Sequence, residues 1–382
     1  MGLDSENQEG MNVLQMCSYL RSNKFHTQCF ESISKRQVNQ TVVSPLAIPE
    51  AFRPQSNLIT EHYGDQRNWP LSRKLIYSWK MKDYDRHLRQ LTRFNSVHIV
   101  HAHSLYADGL AAWIACKSRK LPLVISIRGG DVTVFPKYYP HWRTKVREAL
   151  KAASKIVFSN HKFKPVLEKT HNIRLPSEKC LTIPNGVEDL WHNTPLRERN
   201  ERSRIVRIIC AGKLTTRKNQ LGLIAALKIA NQTSDTGFSL TLVGKPIGVY
   251  GQSVLKECRE NEWITYLGEL SPNDMVEQFQ KHDLFALISH AENFGIVYAE
   301  ALSCGLPIIF SKGQGFDGWS SSFPYGVSVD SRDTASAVDA ILNYDFDLTS
   351  AIERKEFAAN LFTWSKIALE HESLYRSILD NA

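Results

Sequence analysis

The stretch SHAENFGIVYAEALSCGLPIIF, Ser289 to Phe310, decides how this chain is read. Glu292 and Glu300 are separated in it by seven residues, with Phe294 and Gly295 between them. Eight positions of unbroken helix would turn the second carboxylate about 80° from the first and lift it about 12 Å. Ideal helix therefore does not bring both to one point. The pattern instead predicts a loop carrying Glu292, Asn293 and Gly295, then a helix from about Ile296 with Glu300 one turn in. N–H groups at such a helix start are unpaired and partly positive, which suits an anionic or hydroxyl-rich ligand. A carboxylate on each side would accept from sugar hydroxyls. The plain alternative is a solvated acidic helix, since Glu is mostly a surface residue. Against it, Tyr298, Ala299, Ala301, Leu302 and Cys304 make most of this helix apolar, and Glu300 then sits in a largely buried element.

Outward from this stretch, short apolar runs alternate with helical segments. RIVRIICAGKL (Arg204–Leu214), FSLTLVGKP (Phe238–Pro246), WITYLGEL, DLFALISH and LPIIFSKG read as strands, with helices over Gln220–Ala230 and from about Ser271 and Ile296. The earlier part has the same rhythm: strands at Met11–Tyr19, Gln40–Leu46, Val97–His103, Pro122–Arg128, Lys155–Asn160 and Cys180–Val187, helices at Phe25–Lys35, Ala107–Arg119 and His141–Ala153. Such alternation implies parallel βαβ units with ligands at the carboxyl ends of the strands. Glu188–Arg204 interrupts it and reads as a linker. The chain is therefore expected to hold two doubly wound α/β domains, residues 1–190 and 191–363. A last helix, Phe362–Leu379, carries an apolar stripe (Trp364, Ile367, Ala368, Leu374, Ile378) with which it caps its own domain or crosses back to complete the first.

With 382 residues, 42% hydrophobic and 23% charged, the composition is that of a globular protein with room for two cores. No apolar run approaches the ~20 residues that span a bilayer. MGLDSENQEG at the start is polar and acidic, unlike a signal or transit peptide, and is expected to be an unstructured tail. Seven widely spaced cysteines fit buried free thiols in a reducing cytoplasm rather than a disulfide or zinc framework. The net charge of +8 is uneven: residues 1–190 hold 28 Lys+Arg against 16 Asp+Glu, the remainder 19 against 23. An acidic partner for the first half follows, whether anionic lipid headgroups, an anionic substrate or nucleic acid. The aromatic residues there form no known nucleic-acid reader, which weakens the last.

Glu292-to-Glu300 followed by ALSCGLPII, together with AGKL and TIPNGV, resembles the retaining glycosyltransferases of the GT-B fold. The match is to the large family four, whose members build bacterial polysaccharides, glycolipids and sucrose-type products. The resemblance runs from about Met11 onward and implies two Rossmann-like domains facing across a cleft, with the final helix crossing back. It implies that Glu292 and the main chain of Asn293, Phe294 and Gly295 hold donor-sugar hydroxyls, that Ile296 also belongs to the donor site, and that Glu300 binds the nucleotide ribose. AGKLTTRKNQ matches the family's Gly-Arg-Leu and Lys-Gly pair, which grips the donor diphosphate: after Gly212, Lys213 stands in the Arg place, Lys218 in the Lys place, Asn219 in the Gly place. Lys213 keeps the charge but lacks the bidentate fork, with Arg217 as a possible substitute.

ISIRGGDV matches a segment that in the family usually reads His-Gly-x-Asp. Arg128 stands in the histidine place, where it can neutralise phosphate or bind an acidic sugar but cannot act as a base. Gly129 and Gly130 permit close approach, and Asp131 can orient Arg128 or cap the next helix. His101 and His103 share a strand face, and His103 at the strand end is the better cleft residue. Where the family commonly has a glycine pair after the first strand, SYLRSNKFHTQ has none, leaving Arg21 or Lys24 as the charges there.

The expectation is thus a cytoplasmic, peripherally membrane-associated retaining glycosyltransferase. It takes a nucleotide-sugar donor and a glycan or lipid-linked acceptor, uses no metal and no cofactor, and binds no nucleic acid. Catalysis falls to Glu292, Lys218 and Arg128. A non-catalytic GT-B binding or assembly subunit is the alternative, favoured by Arg128 and Lys213. Arg53–Arg93, basic and aromatic, is the expected membrane contact.

Overall fold

β1 (Met11–Met16), β2 (Val38–Ser44), β3 (Leu58–His62), β4 (Ile99–Ala102), β5 (Leu123–Ile127), β6 (Lys155–Phe158) and β7 (Cys180–Thr182) form one sheet in the order β3-β2-β1-β4-β5-β6-β7. β8 (Ile205–Ala211), β9 (Gly237–Val243), β10 (Ile264–Tyr266), β11 (Leu284–Leu287), β12 (Ile308–Ser311) and β13 (Gly326–Val329) form a second, ordered β10-β9-β8-β11-β12-β13. The computed structural model describes residues 10–20, 24–44, 57–62, 86–88, 90, 96–196, 205–322, 325–344 and 351–381. All the pairings in both sheets are parallel.

Parallel strands covered by helices on both faces need apolar residues at successive positions, not alternate ones. IVHA, LVISI, LFAL and IIFS satisfy this, and every residue of these four strands is buried. Each sheet reverses its winding once, between β1 and β4 and between β8 and β11. At such switch points the loops leaving the strands diverge and open a crevice.

The chain divides into two compact units, 1–159 with 163–184 and 364–382, and 160–162 with 185–363. The helix Trp364–Leu379 belongs to the first unit. Its stripe of Trp364, Ile367, Ala368, Leu374, Tyr375 and Ile378 packs with Met11, Val13, Ile33 and Ile99. The second unit starts at Asn185, before the boundary read at residue 190, because Val187 and Trp191 are built into its core.

That placement corrects the linker reading of Glu188–Arg204. Asp189–Asn193 is a short helix, and Trp191, 4% exposed, lies against Phe279. A polar run conceals a single large anchor, which is why composition misled. β7 stops at Thr182, with Pro184 shortly beyond and unable to donate to a ladder. β3 lies within Arg53–Arg93, where no strand was expected. The rest of the presumed membrane segment falls largely outside the described residues, as do Arg21, the Lys24 side chain and residues 1–9. All seven cysteines are free, five of them buried. No helix among the described residues is long and apolar enough to cross a membrane.

Candidate active site

β8 runs out into Gly212–Lys213, and β11 into Ser289–Glu292, so the two loops bound the second sheet's switch point. A cavity of about 360 Å³ lies there, lined among others by Gly212, Lys213, Lys218, Glu292, Gly295, Ile296, Val297 and Glu300. The fold therefore gathers the two carboxylates and the two lysines that sequence placed far apart.

Glu292 precedes the helix and Glu300 is within it, as the loop-then-helix reading requires: the helix is Ile296–Ser303, with Gly295 as its N-cap. Gly295 has φ +78°, and a Cβ there would stand 2.4 Å from the Tyr298 ring. Left-handed backbone and lack of room both call for glycine. Phe294 is buried against Phe316 and Phe362, so only its main chain is available to a ligand, while Asn293 is exposed. Asn293 N–H donates to Glu292 Oε1 at 3.2 Å, and Lys218 Nζ donates to Glu292 Oε2. The Lys218 and Glu292 side chains are only 12% and 9% exposed, so they form a nearly dry ion pair.

Burial pushes the Glu300 carboxyl up to about 7, with the negative charge of Glu188 adding to it. Near neutral pH it is poised between acid and carboxylate. Lys213 is exposed at the rim, its carbonyl accepting from Gln220 Nε2 at 3.1 Å. Arg217 is exposed too and is not among the residues lining the cavity. Its carbonyl accepts from His290 N–H at 2.8 Å.

Asn219 stands where glycine was expected, and the backbone explains both residues. Its φ is +56°, the left-handed region that glycine and asparagine tolerate best. Its amide also donates to Ile288 O at 3.2 Å and Ser331 O at 2.9 Å, tying the Lys218 loop to the loops after β11 and β13.

In the first unit, Arg128 and His103 lie at the ends of β5 and β4. Asp131 is fully buried and accepts from the N–H groups of Arg128 (2.9 Å), Leu105 (3.1 Å) and Tyr106 (3.1 Å). Burial nevertheless pushes its carboxyl up to about 6. Of the two roles read for it, capping the Gly129–Thr133 helix is the one its contacts display. Gly130 lies in that helix against Phe135. Arg128 Nε donates to His103 O at 3.4 Å, and its guanidinium rests 5.0 Å from the Phe25 ring centre.

His103 is buried inside a polar core rather than lining an opening. Its Nε2 meets Gln15 Oε1 at 2.8 Å, and its ring stacks on His101 at 4.2 Å. His101 in turn meets Tyr375 OH at 2.7 Å and Ser126 Oγ at 2.8 Å. Burial, then the neighbouring His101, holds His103 well below the usual imidazole pKa.

Sequence reasoning overlooked Gly313-Gln314-Gly315, directly after β12. Gln314 Oε1 accepts from Glu292 N–H at 3.0 Å, and Gly315 N–H donates to Glu292 O at 3.0 Å. A glycine pair at the end of an apolar strand was the available signal.

Comparison with known proteins agrees with this architecture. The sequence model for glycosyl transferases group 1 matches residues 192–345, and that for glycosyltransferase family 4 matches residues 29–189. An N-acetyl-alpha-D-glucosaminyl L-malate synthase of Bacillus anthracis is 20% identical over 304 residues, 76% of this chain and 78% of its own. A GDP-mannose-dependent alpha-(1-6)-phosphatidylinositol monomannoside mannosyltransferase of Mycobacterium tuberculosis is 24% identical over 213 residues, 50% of this chain and about half (54%) of its own. The Anabaena HepE structure in complex with UDP and glucose superposes with a TM-score of 0.64 at 18% identity, covering 96% of this chain and 100% of that one. With one match to each half and the same two Rossmann-like domains, the chain belongs to the group 1, family four glycosyltransferases of the GT-B fold.

Proposed function

We propose that this chain is a retaining glycosyltransferase that moves a sugar from a nucleotide-sugar donor to a glycan or lipid-linked acceptor in cell-surface polysaccharide synthesis. The observation that carries the reading is the cavity at the β8/β11 switch point, where Lys213, Lys218, the helix start at Ile296 and the carboxylates Glu292 and Glu300 meet. A nucleoside diphosphate sugar needs such a set in such an order. Glu300 accepts from the ribose hydroxyls. Lys213, Lys218 and the N–H groups at the helix start oppose the diphosphate. Glu292 and the main chain of Asn293, Phe294 and Gly295 take the sugar hydroxyls.

As the glycosidic bond to phosphate lengthens, negative charge grows on the leaving diphosphate, and fixed cations stabilise that state more than the ground state. Their charge answers the leaving group without a metal ion or a cofactor in this scheme. Arg128 cannot take a proton, so the leaving phosphate itself accepts it from the attacking hydroxyl on the same face, which retains configuration. In the first unit Arg128 is the residue assigned to the anionic or acidic group, with Gly130, Asp131 and His103 holding the strand ends around it.

UDP complexed in HepE and GDP-mannose use by the mycobacterial relative set the donors to try. That relative's phosphatidylinositol-based acceptor and the basic first half support a lipid-linked acceptor at an anionic membrane surface on the cytoplasmic side. The test is release of nucleoside diphosphate from UDP-glucose, UDP-N-acetylglucosamine and GDP-mannose, with the anomeric configuration of the product read by NMR. Nucleotide binding with no turnover of any donor, with or without lipid acceptors, would instead favour the non-catalytic subunit. An inverted product would exclude retention.

A further inference from the structure

Glu292 can serve a donor sugar only if its backbone is held still, and the bonds that hold it come from one short segment. After β12 the chain turns through Lys312–Asp317 and closes on itself: Gly313 N–H donates to Asp317 Oδ2 at 2.6 Å, Asp317 N–H to Gln314 O at 3.0 Å, and Lys312 N–H to Val329 O at 2.7 Å. This turn is thereby fixed to the ends of β12 and β13. From it, the Gln314 side chain accepts the Glu292 N–H, and the Gly315 N–H reaches the Glu292 carbonyl. Both backbone polar groups of one residue are taken by two consecutive residues of another loop. A Cβ on Gly315 would stand 1.9 Å from Asn293 O, so the contact is backbone against backbone. Phe316 continues it, packing on Phe294 and Tyr298.

The Asn293 carbonyl is held from elsewhere, by the Nδ2 of Asn160, a fully buried residue whose Oδ1 accepts from Lys162 N–H at 2.9 Å. Lys162 in turn pairs with Asp317 at 3.2 Å, and His161 lies against Trp319 at 4.6 Å. Residues 160–162 and 311–319 thus form one bracket around residues 292–293, all within the second unit.

We propose that Gln314 is a positioning residue for donor-sugar transfer: through the Glu292 N–H it fixes the angle at which the Glu292 carboxylate and the Asn293 N–H meet the sugar. This deepens the donor-site reading and rests on it. Gln314 bonds to the Glu292 backbone and reaches Lys218 only through the Glu292 carboxylate, so its effect falls chiefly on the sugar end.

The experiment compares Gln314→Met, which keeps the length and loses the acceptor, with Gln314→Glu, which keeps an acceptor oxygen. Affinities for UDP and GDP are measured by calorimetry, and turnover with UDP-glucose and GDP-mannose. Gln314 is part-exposed, so both variants should fold. Gln314→Met should lower kcat by about 10- to 100-fold, the scale of an ångström-level misplacement, with nucleotide affinity within about twofold. Gln314→Glu should recover part of the rate. Unchanged turnover in Gln314→Met overturns the proposal. So does an equal loss of nucleotide affinity and turnover, or a Gln314→Glu as poor as Gln314→Met, because each marks a general structural role. A wild-type protein that neither binds UDP or GDP nor cleaves either sugar donor overturns the donor site itself, a failure recognisable by its appearing before any substitution.

Discussion

Lys218 and Glu292 are each other's partners: the cation assigned to the diphosphate donates to the carboxylate assigned to the sugar. The pair links β8's exit loop to β11's, so an internal ion pair spans the cavity wall. A phosphate reaching Lys218 competes with Glu292 for it, and a sugar hydroxyl reaching Glu292 competes with Lys218.

Lys218→Met should therefore have two separable effects. Turnover should fall more than ground-state donor binding, because charge on the leaving group grows along the reaction. The ligand-free protein should also lose up to about 3 kcal/mol, since a nearly buried carboxylate is left unpaired. The double variant Lys218→Met/Glu292→Gln should regain much of that stability and none of the activity. Chemical denaturation of the four proteins measures the coupling; additive losses would mean that the pair is not coupled.

Glu300→Gln should weaken nucleoside diphosphate binding by about 1.5 to 3 kcal/mol, the worth of hydrogen bonds to a charged group. Only the ionised carboxyl accepts from both ribose hydroxyls. With its pKa at about 7, wild-type affinity should fall as pH drops below 7 and level off above it. The Gln variant should show no such step in calorimetry between pH 5.5 and 8.5.

The same substitution should make the empty protein more stable. A carboxyl whose folded pKa is raised favours folding fully only below its unfolded value near 4.5, and that advantage is lost as pH rises through about 7. Glu300→Gln should then stabilise the ligand-free chain by up to about 3 kcal/mol at pH 8.5 and little at pH 4.5. A Tm difference independent of pH would contradict the burial of this charge.

Asn219→Ala and Asn219→Gly both lose the amide bonds to Ile288 O and Ser331 O, but only Ala brings a Cβ into the left-handed region. Ala should be the less stable of the two by about 1 kcal/mol. Equal Tm values for the two variants would show that the backbone angle is not what selects this residue.

Acid should loosen the first unit through His371. Burial, with Arg128 adding its charge, holds its pKa at about 4 against the tendency of the Ile367 carbonyl to raise it. A depressed imidazole gives stability that is full above about 6.5 and lost as pH falls towards 4. His371→Leu should flatten the fall in Tm over that interval. Part of the fall should persist, because His101 and His103 are buried and depressed as well.

The fold was legible because parallel strands announce themselves as unbroken apolar runs: IVHA, LVISI, LFAL and IIFS appear in sequence nearly as they lie in the sheets. The Glu292–Glu300 spacing was legible because a loop and a helix leave different imprints on periodicity. Trp191 was not, because one anchor in a polar run carries no period. Gln314 was missed for a different reason. Its partner is a backbone N–H 22 positions away, and any residue at 292 would offer the same N–H. His103 was correctly seen to share a face with His101, but nothing in a two-residue period tells a cleft wall from a sealed interior.

The helix Trp364–Leu379 closes the core of the first unit, yet it is made after the whole second unit. On a ribosome the second unit, from Asn185 to Thr363, has its chain in hand before the first can bury Met11, Val13 and Ile99 beneath Trp364 and Ile367. Synthesis order and completion order are thus reversed. The part of the first sheet that this helix covers goes without its cover through some 180 residues of translation, a stretch in which exposed apolar surface favours misassembly.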